Sequence, residues 1–326
     1  MHRRTFIAAS TGTVLSATSL VGAARPTVGT ADVQRLRNAL TALWLLDDQE
    51  GGGPALEGRA VALGRETLRL QQNGSASQRI RNRLYGLGAA FTAIAMWATI
   101  NARLLDRAQR HMESAIALAG LSGDGRVQHE IWRYATALAA HRGRWHDAVA
   151  AAEAAMGTSA HRRDPLHASL SHARLALYLP NAGNCSRALR ALERAADAFD
   201  RADLHAHRPA SMGFFTRSEL EGLAGIALLR LGRPAQAECH IHRCLATLRP
   251  EQRRNRALYT AHVALAQLHQ GDVEQACTTA TQVLPSPGST PVGAVQHLLS
   301  TFTTELNRRA AGAKRTHSWN EHVRGL

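Results

Sequence analysis

From residue 32 onward, apolar positions recur three and four apart in one segment after another, with short polar or glycine-bearing breaks between segments. That spacing gathers apolar side chains on one face of an α-helix. Four of the breaks share an offset: a glycine, an alanine five residues on, a larger residue four beyond it, and a small residue three further. The sets are Gly143, Ala148, Ala152 and Ala155; Gly183, Ala188, Leu192 and Ala195; Gly232, Ala237, Ile241 and Cys244; and Gly271, Ala276, Ala280 and Val283. Ala152 and Ala280 are smaller than the rule asks. Ala108, Met112 and Ala115 carry the pattern upstream without a glycine, and Ala60, Gly64 and Thr67 form a degenerate first copy. Glycine ends a helix because it accepts the left-handed conformation cheaply. The offsets of four and three then place the remaining residues on one face of the next helix, and small side chains there let its partner approach.

Each such hairpin cannot bury its apolar stripe alone, so neighbours must stack. The pattern therefore predicts an all-α fold, a right-handed superhelix of tetratricopeptide-like helical hairpins. The alanines recur roughly every 40 to 50 residues, against about 34 in the tetratricopeptide repeat, which implies longer helices. Residues 32–309 form the expected repeat domain. Residues 1–31 form an N-terminal linker or signal-like segment, and 310–326 a polar tail expected to fray. The stretch "PSPGSTPVG", 285–293, reads as a loop before a final helix.

Composition agrees with helix. Ala, Leu and Arg dominate and aromatic residues are scarce. The formal charge is +14, almost all of it arginine, since Lys314 is the only lysine. Such a surface attracts anions, but the arginines form no dense block, so any nucleic-acid binding read from charge alone is salt-sensitive and sequence-independent. The stretch "GRPAQAECHIHRCL" raises the question of a metal site. The repeat answers it: Cys244 takes the small-residue position of Ala155 and Ala195, Ile241 is its core neighbour, and His240 and His242 diverge on either side. No metal and no cofactor is expected. The four cysteines, Cys185, Cys239, Cys244 and Cys277, show no CxxC and read as small hydrophobes. No apolar run is expected to span a membrane.

The start, "MHRRTFIAASTGTVLSATSLVGAARP", combines Arg3 and Arg4 with a weakly apolar run from Ile7 to Val21 and small residues up to Ala23. It reads either as a twin-arginine export signal or as a first linker.

In a superhelix of this kind the first helix of each hairpin lines the concave side, and its inward position lies nine residues before the turn glycine. That count gives Tyr134, Arg174, Leu223 and His262. Positions one turn away add Glu130, Glu219 and Leu258, and the earlier copy gives Trp97. Arg133 stands beside Tyr134. Arg133 and Arg174 have the planar guanidinium fork that grips a carboxylate, and Trp97, Tyr134 and Leu223 offer apolar contact. The candidate ligand-binding residues are therefore Trp97, Arg133, Tyr134, Arg174, Glu219, Leu223 and His262. No GxSxG, GxxxxGK, HExxH or dinucleotide loop is present, and catalysis is not expected.

The stretches "AMWATINARLLDRAQRHMESAIALAGLSGD", "RRDPLHASLSHARLAL", "RPASMGFFTRSELEGLAGIALLRLG" and "RNRALYTAHVALAQLHQGDVEQA" together resemble the C-terminal sensor region of helix-turn-helix (XRE-type) transcriptional regulators from high-GC Gram-positive bacteria. The resemblance runs from about residue 32. It implies a regulatory or adaptor protein that binds a peptide or partner protein in its concave groove. About thirty residues precede the first helix, too few for the DNA-binding domain of that family, so transcriptional regulation is expected through a partner rather than by direct sequence-specific DNA binding. It also makes a cytoplasmic location the first expectation, with a twin-arginine-exported binding scaffold as the alternative.

Overall fold

The computed structural model describes residues 25–50, 52–250, 252–284 and 293–324. The arginine-pair segment and most of the 285–293 stretch lie outside the described residues. Among the described residues the chain forms fifteen α-helices and no sheet. Helices α1 (Thr30–Glu50) and α2 (Pro54–Asn73) lead into α3 (Gln78–Asn101) and α4 (Leu105–Ser122), which pair as the first hairpin. The second is α5 (Gly125–His141) with α6 (Trp145–Met156). After a short α7 (Ser159–Arg163) come α8 (Pro165–Tyr178) with α9 (Cys185–Asp200), α10 (Arg217–Arg230) with α11 (Pro234–Thr247), and α12 (Arg253–Gln270) with α13 (Val273–Thr281). Helices α14 (Gly293–Ala310) and α15 (Lys314–Arg324) follow. The hairpins stack as a right-handed superhelix with α3, α5, α8, α10 and α12 inside.

The five hairpin turns are built alike. Arg103, Gly143, Gly183, Gly232 and Gly271 all have positive φ, between 61° and 90°. In each, the next residue donates its backbone N–H to the carbonyl five residues back: Leu104 to Thr99, Arg144 to Ala139, Asn184 to Leu179, Arg233 to Leu228 and Asp272 to Gln267, at 2.8–3.1 Å. This closing bond is that of a Schellman cap. Five residues past each turn, Ala108, Ala148, Ala188, Ala237 and Ala276 are all fully buried. A side chain larger than a methyl group there would push the paired helices apart. Ile241 and Cys244 are fully buried in the same register, whereas Cys239 is exposed, His240 bonds to Glu221 and His242 faces Glu238. The "CHIHRC" side chains thus scatter to four environments.

One expectation gains a detail and one is corrected. Helix α3 is long and apolar enough to cross a bilayer by length and composition. Its Gly, Ala and Thr residues let neighbours close around it, and it serves as a core helix between α2, α4 and α5. The polar tail from residue 310 does not fray: α15 seats Trp319 edge-on against Phe302, and the indole N–H donates to Thr303 Oγ1 at 3.0 Å. One buried aromatic anchors an otherwise polar helix.

Distant turns of the superhelix also touch. Asp47 of α1 is buried and lies 3.4 Å from Arg254 of α12. The first residue of α14, Gly293, packs so closely on the end of α3 that an added Cβ would sit 2.7 Å from the Asn101 carbonyl. The connection between α9 and α10 is long, and its 3-10 turn, Ala210–Met212, folds back against α1. Arg208 fastens this connection through two bonds to Asp164, at 2.8 and 2.9 Å.

Candidate functional site

The concave interior has two levels. The first gathers most of the residues expected there around Trp97 and Tyr134. The Trp97 ring stacks on Tyr134 with centroids 5.2 Å apart, and Trp44 of α1 flanks Tyr134 at 6.4 Å. The Trp97 indole N–H donates to Asp47 at 3.0 Å. The Arg133 guanidinium lies over Tyr134 at 4.2 Å and over Phe214 of the α9–α10 connection at 4.8 Å, and it donates to the Tyr134 hydroxyl. The Arg254 guanidinium lies over the Trp97 ring at 5.8 Å. Trp97 stays half-buried, but Tyr134 and Arg133 are buried by the first helix and the connection. Leu223 is buried in the neighbouring core cluster with Leu220 and Tyr259.

Two carboxylates sit among these groups. Glu130 is 7 % exposed and Glu219 6 %. Burial pushes the Glu130 carboxyl up to about 7, against the opposing pull of Arg133 and Ser211. Glu219 is raised as well, by burial first, although Arg174, Tyr259, Arg254 and Arg133 all favour its charge. Glu130 Oε1, Glu219 Oε2 and Arg174 Nε are buried polar atoms without a hydrogen-bond partner among the described residues. They come from three successive inner helices, α5, α8 and α10. Unmet buried groups of this kind are expensive, and they mark where a ligand gains most. Arg174 itself is half-buried.

The second level centres on His262 and takes in groups from the last turns of α5 and α10. His262 is buried; its Nδ1–H donates to the Leu258 carbonyl at 2.8 Å, and burial lowers its pKa to about 4. Around it stand groups that sequence reasoning missed: Arg230, His141 and Arg103. Arg230 donates to the Leu177 carbonyl at 2.6 Å and lies over the Tyr178 ring. Arg103 bonds to His141 Nδ1. A signal for this level exists in the sequence. Two residues before each of the five turns stand Asn101, His141, Asn181, Arg230 and His269, every one with a side-chain nitrogen.

No family model matches this chain, and no curated protein matches it. Among solved structures, a Rap protein complexed with competence and sporulation factor is similar over 91 % of this chain and 87 % of its own, with a TM-score of 0.54 and 11 % sequence identity. The likeness is one of fold: both chains are stacked helical hairpins of nearly equal extent.

Proposed function

We propose that this chain is a regulatory or adaptor protein that takes an extended peptide, free or part of a partner protein, into its concave interior. The unpartnered atoms of Glu130, Arg174 and Glu219 carry this reading. A peptide bond offers an N–H donor and a C=O acceptor side by side. An extended chain across α5, α8 and α10 would give N–H groups to the two carboxylates and a carbonyl to Arg174 Nε, which removes the desolvation cost now borne by all three. The fold shared with a Rap protein solved with a bound factor agrees with a ligand-binding coil. The resemblance to regulator sensor regions supports an action on transcription through a partner, without chemistry on the ligand and in the cytoplasm. Sequencing the N-terminus of the protein from its native cell checks the location: a start at Met1 or His2 fits it, and a start at Ala24 means export.

The binding test uses peptides selected from a random library against the wild-type protein. Replacing Arg174 by Ala, or Glu219 by Gln, should weaken a selected peptide by about tenfold or more. Equal affinity for all three proteins would place the peptide elsewhere.

A further inference from the structure

The two levels of the interior differ in charge balance. At the first, guanidinium groups have carboxylates: Arg133 has Glu130 and Glu219 nearby, and Arg254 has Asp47. The fastened connection repeats the rule, with Arg208 on Asp164. At the second level the rule fails. Arg230 faces Arg174 and Tyr178 on α8 and His262 on α12. His141 faces Arg103, Arg230 and His297 of α14. None of Arg103, Arg174 or Arg230 makes an ion pair with a carboxylate among the described residues, and Arg174 Nε has no partner at all. Six nitrogen-bearing side chains from α5, α8, α10, α12, α14 and the first turn therefore converge, and the carboxylate nearest to them is Glu219, beside Arg174 at the boundary with the first level.

We propose that this end of the interior is an oxyanion-binding site, which takes a carboxylate or phosphate group presented by a ligand inside the coil, with Arg174 and Arg230 as its principal grips. Like charges held close together repel one another, here with Arg103, Arg230 and His297 exposed, His141 and Arg174 half-buried and His262 buried. Arg230 remains accessible to solvent, yet the surrounding protein, and after it Arg174, disfavours its charge. Enclosure, and then Arg103, likewise holds the His141 pKa down at about 4. An oxyanion reverses the sign of all these interactions at once. Guanidinium groups suit it because their N–H donors match the geometry of carboxylate and phosphate oxygens. The tautomer at His141 suits it too: Nδ1 accepts from Arg103, so the neutral ring has its proton on Nε2, available to a further acceptor. Arg174 stands at the seam, close to Glu219 on one side and Arg230 on the other. A ligand with its backbone at the first level and an acidic group at the second would use it twice. The oxyanion site does not depend on the peptide reading.

The probe is inorganic phosphate, titrated by calorimetry and by thermal unfolding against chloride at equal ionic strength. The wild-type protein should bind phosphate saturably and melt at a higher temperature in it. Arg230→Gln and Arg174→Gln should each weaken phosphate by about tenfold or more, and each should lose the phosphate-dependent rise in melting temperature. Should Arg230→Gln fail to fold, His141→Gln reads the same site from the opposite wall and should weaken phosphate as well. Identical responses to phosphate and chloride, or undiminished affinity in the variants, would overturn the proposal. Competition with phosphate then separates the sources. Displacement by a pentapeptide pool with free C-termini, and not by the same pool amidated, assigns a peptide carboxylate. Displacement by neither assigns a phosphate-bearing ligand. Equal displacement by both pools counts against a site that reads charge. Phosphate binding without peptide binding would keep this inference and discard the peptide reading.

Discussion

Arg103 holds a left-handed backbone conformation, φ 61°, at a turn position that is glycine in four sister hairpins. A side chain there costs about 1 kcal/mol that glycine avoids, and its contact with His141 is exposed and worth little in return. Arg103→Gly should therefore raise the urea midpoint by the equivalent of about 1 kcal/mol, with an unchanged m-value. The position was legible in advance, because Arg103 lies five residues before Ala108 as each turn glycine lies before its alanine. Glu130 shows what was not legible. The three-and-four spacing says that it faces inward, but Ser211 beside it comes from the α9–α10 connection, which does not belong to the repeat. Its folded pKa, about 7, lies above the ordinary carboxylate value of 4.5. Stability from this group is thus fully present below pH 4.5 and is lost as pH rises through 7. Glu130→Gln should be more stable than wild type by roughly 3 kcal/mol at pH 8, and denaturation curves for the two proteins should converge toward pH 4.

At the scale of elements, α10 shows how the small-residue rule sets helix spacing. An alanine methyl at Gly222 would strike the Tyr259 ring of α12, and one at Gly225 would meet Ile241 and lie 2.9 Å from the Ala237 carbonyl of α11. A ring can tilt away, whereas a helix backbone cannot move without its whole element. Gly225→Ala should therefore lower stability by about 2 kcal/mol, and by more than Gly222→Ala, when both are measured by chemical denaturation. The helical pattern identified these hairpins because each apolar face repeats over several turns. It did not identify α15, whose face is held by Trp319 with little else apolar beside it. A single side chain leaves no periodic trace. It likewise gave no sign that the connection after α9 would enter the interior, since Met212, Phe214 and Phe215 are clustered without helical spacing and take their places from long-range packing.

For the molecule as a whole, the interior histidines make acid the weak point. Burial lowers His129 to about 3, and His141, His172 and His262 to about 4, all from an ordinary value of 6.5. The unfolded chain therefore takes up protons first, and the stability these groups provide above pH 6.5 is lost as pH falls toward 4 and below. Four such groups together approach the entire stability of a typical domain, about 5–15 kcal/mol. Circular dichroism followed downward from pH 7 should show one steep loss of helix below pH 6.5, and His129→Gln should shift it toward lower pH. How closely the superhelix folds on itself could not be read from its repeats, because a repeat specifies the step between neighbours and not where the accumulated rotation brings the ends. Here it brings Asp47 to Arg254, 207 residues along the chain. A spring pinned at both ends lengthens only after the pin gives way. Force applied between these two points in a single-molecule stretching experiment should meet one stiff barrier before any hairpin peels off, and cutting the pin with Asp47→Ala should turn that barrier into gradual extension.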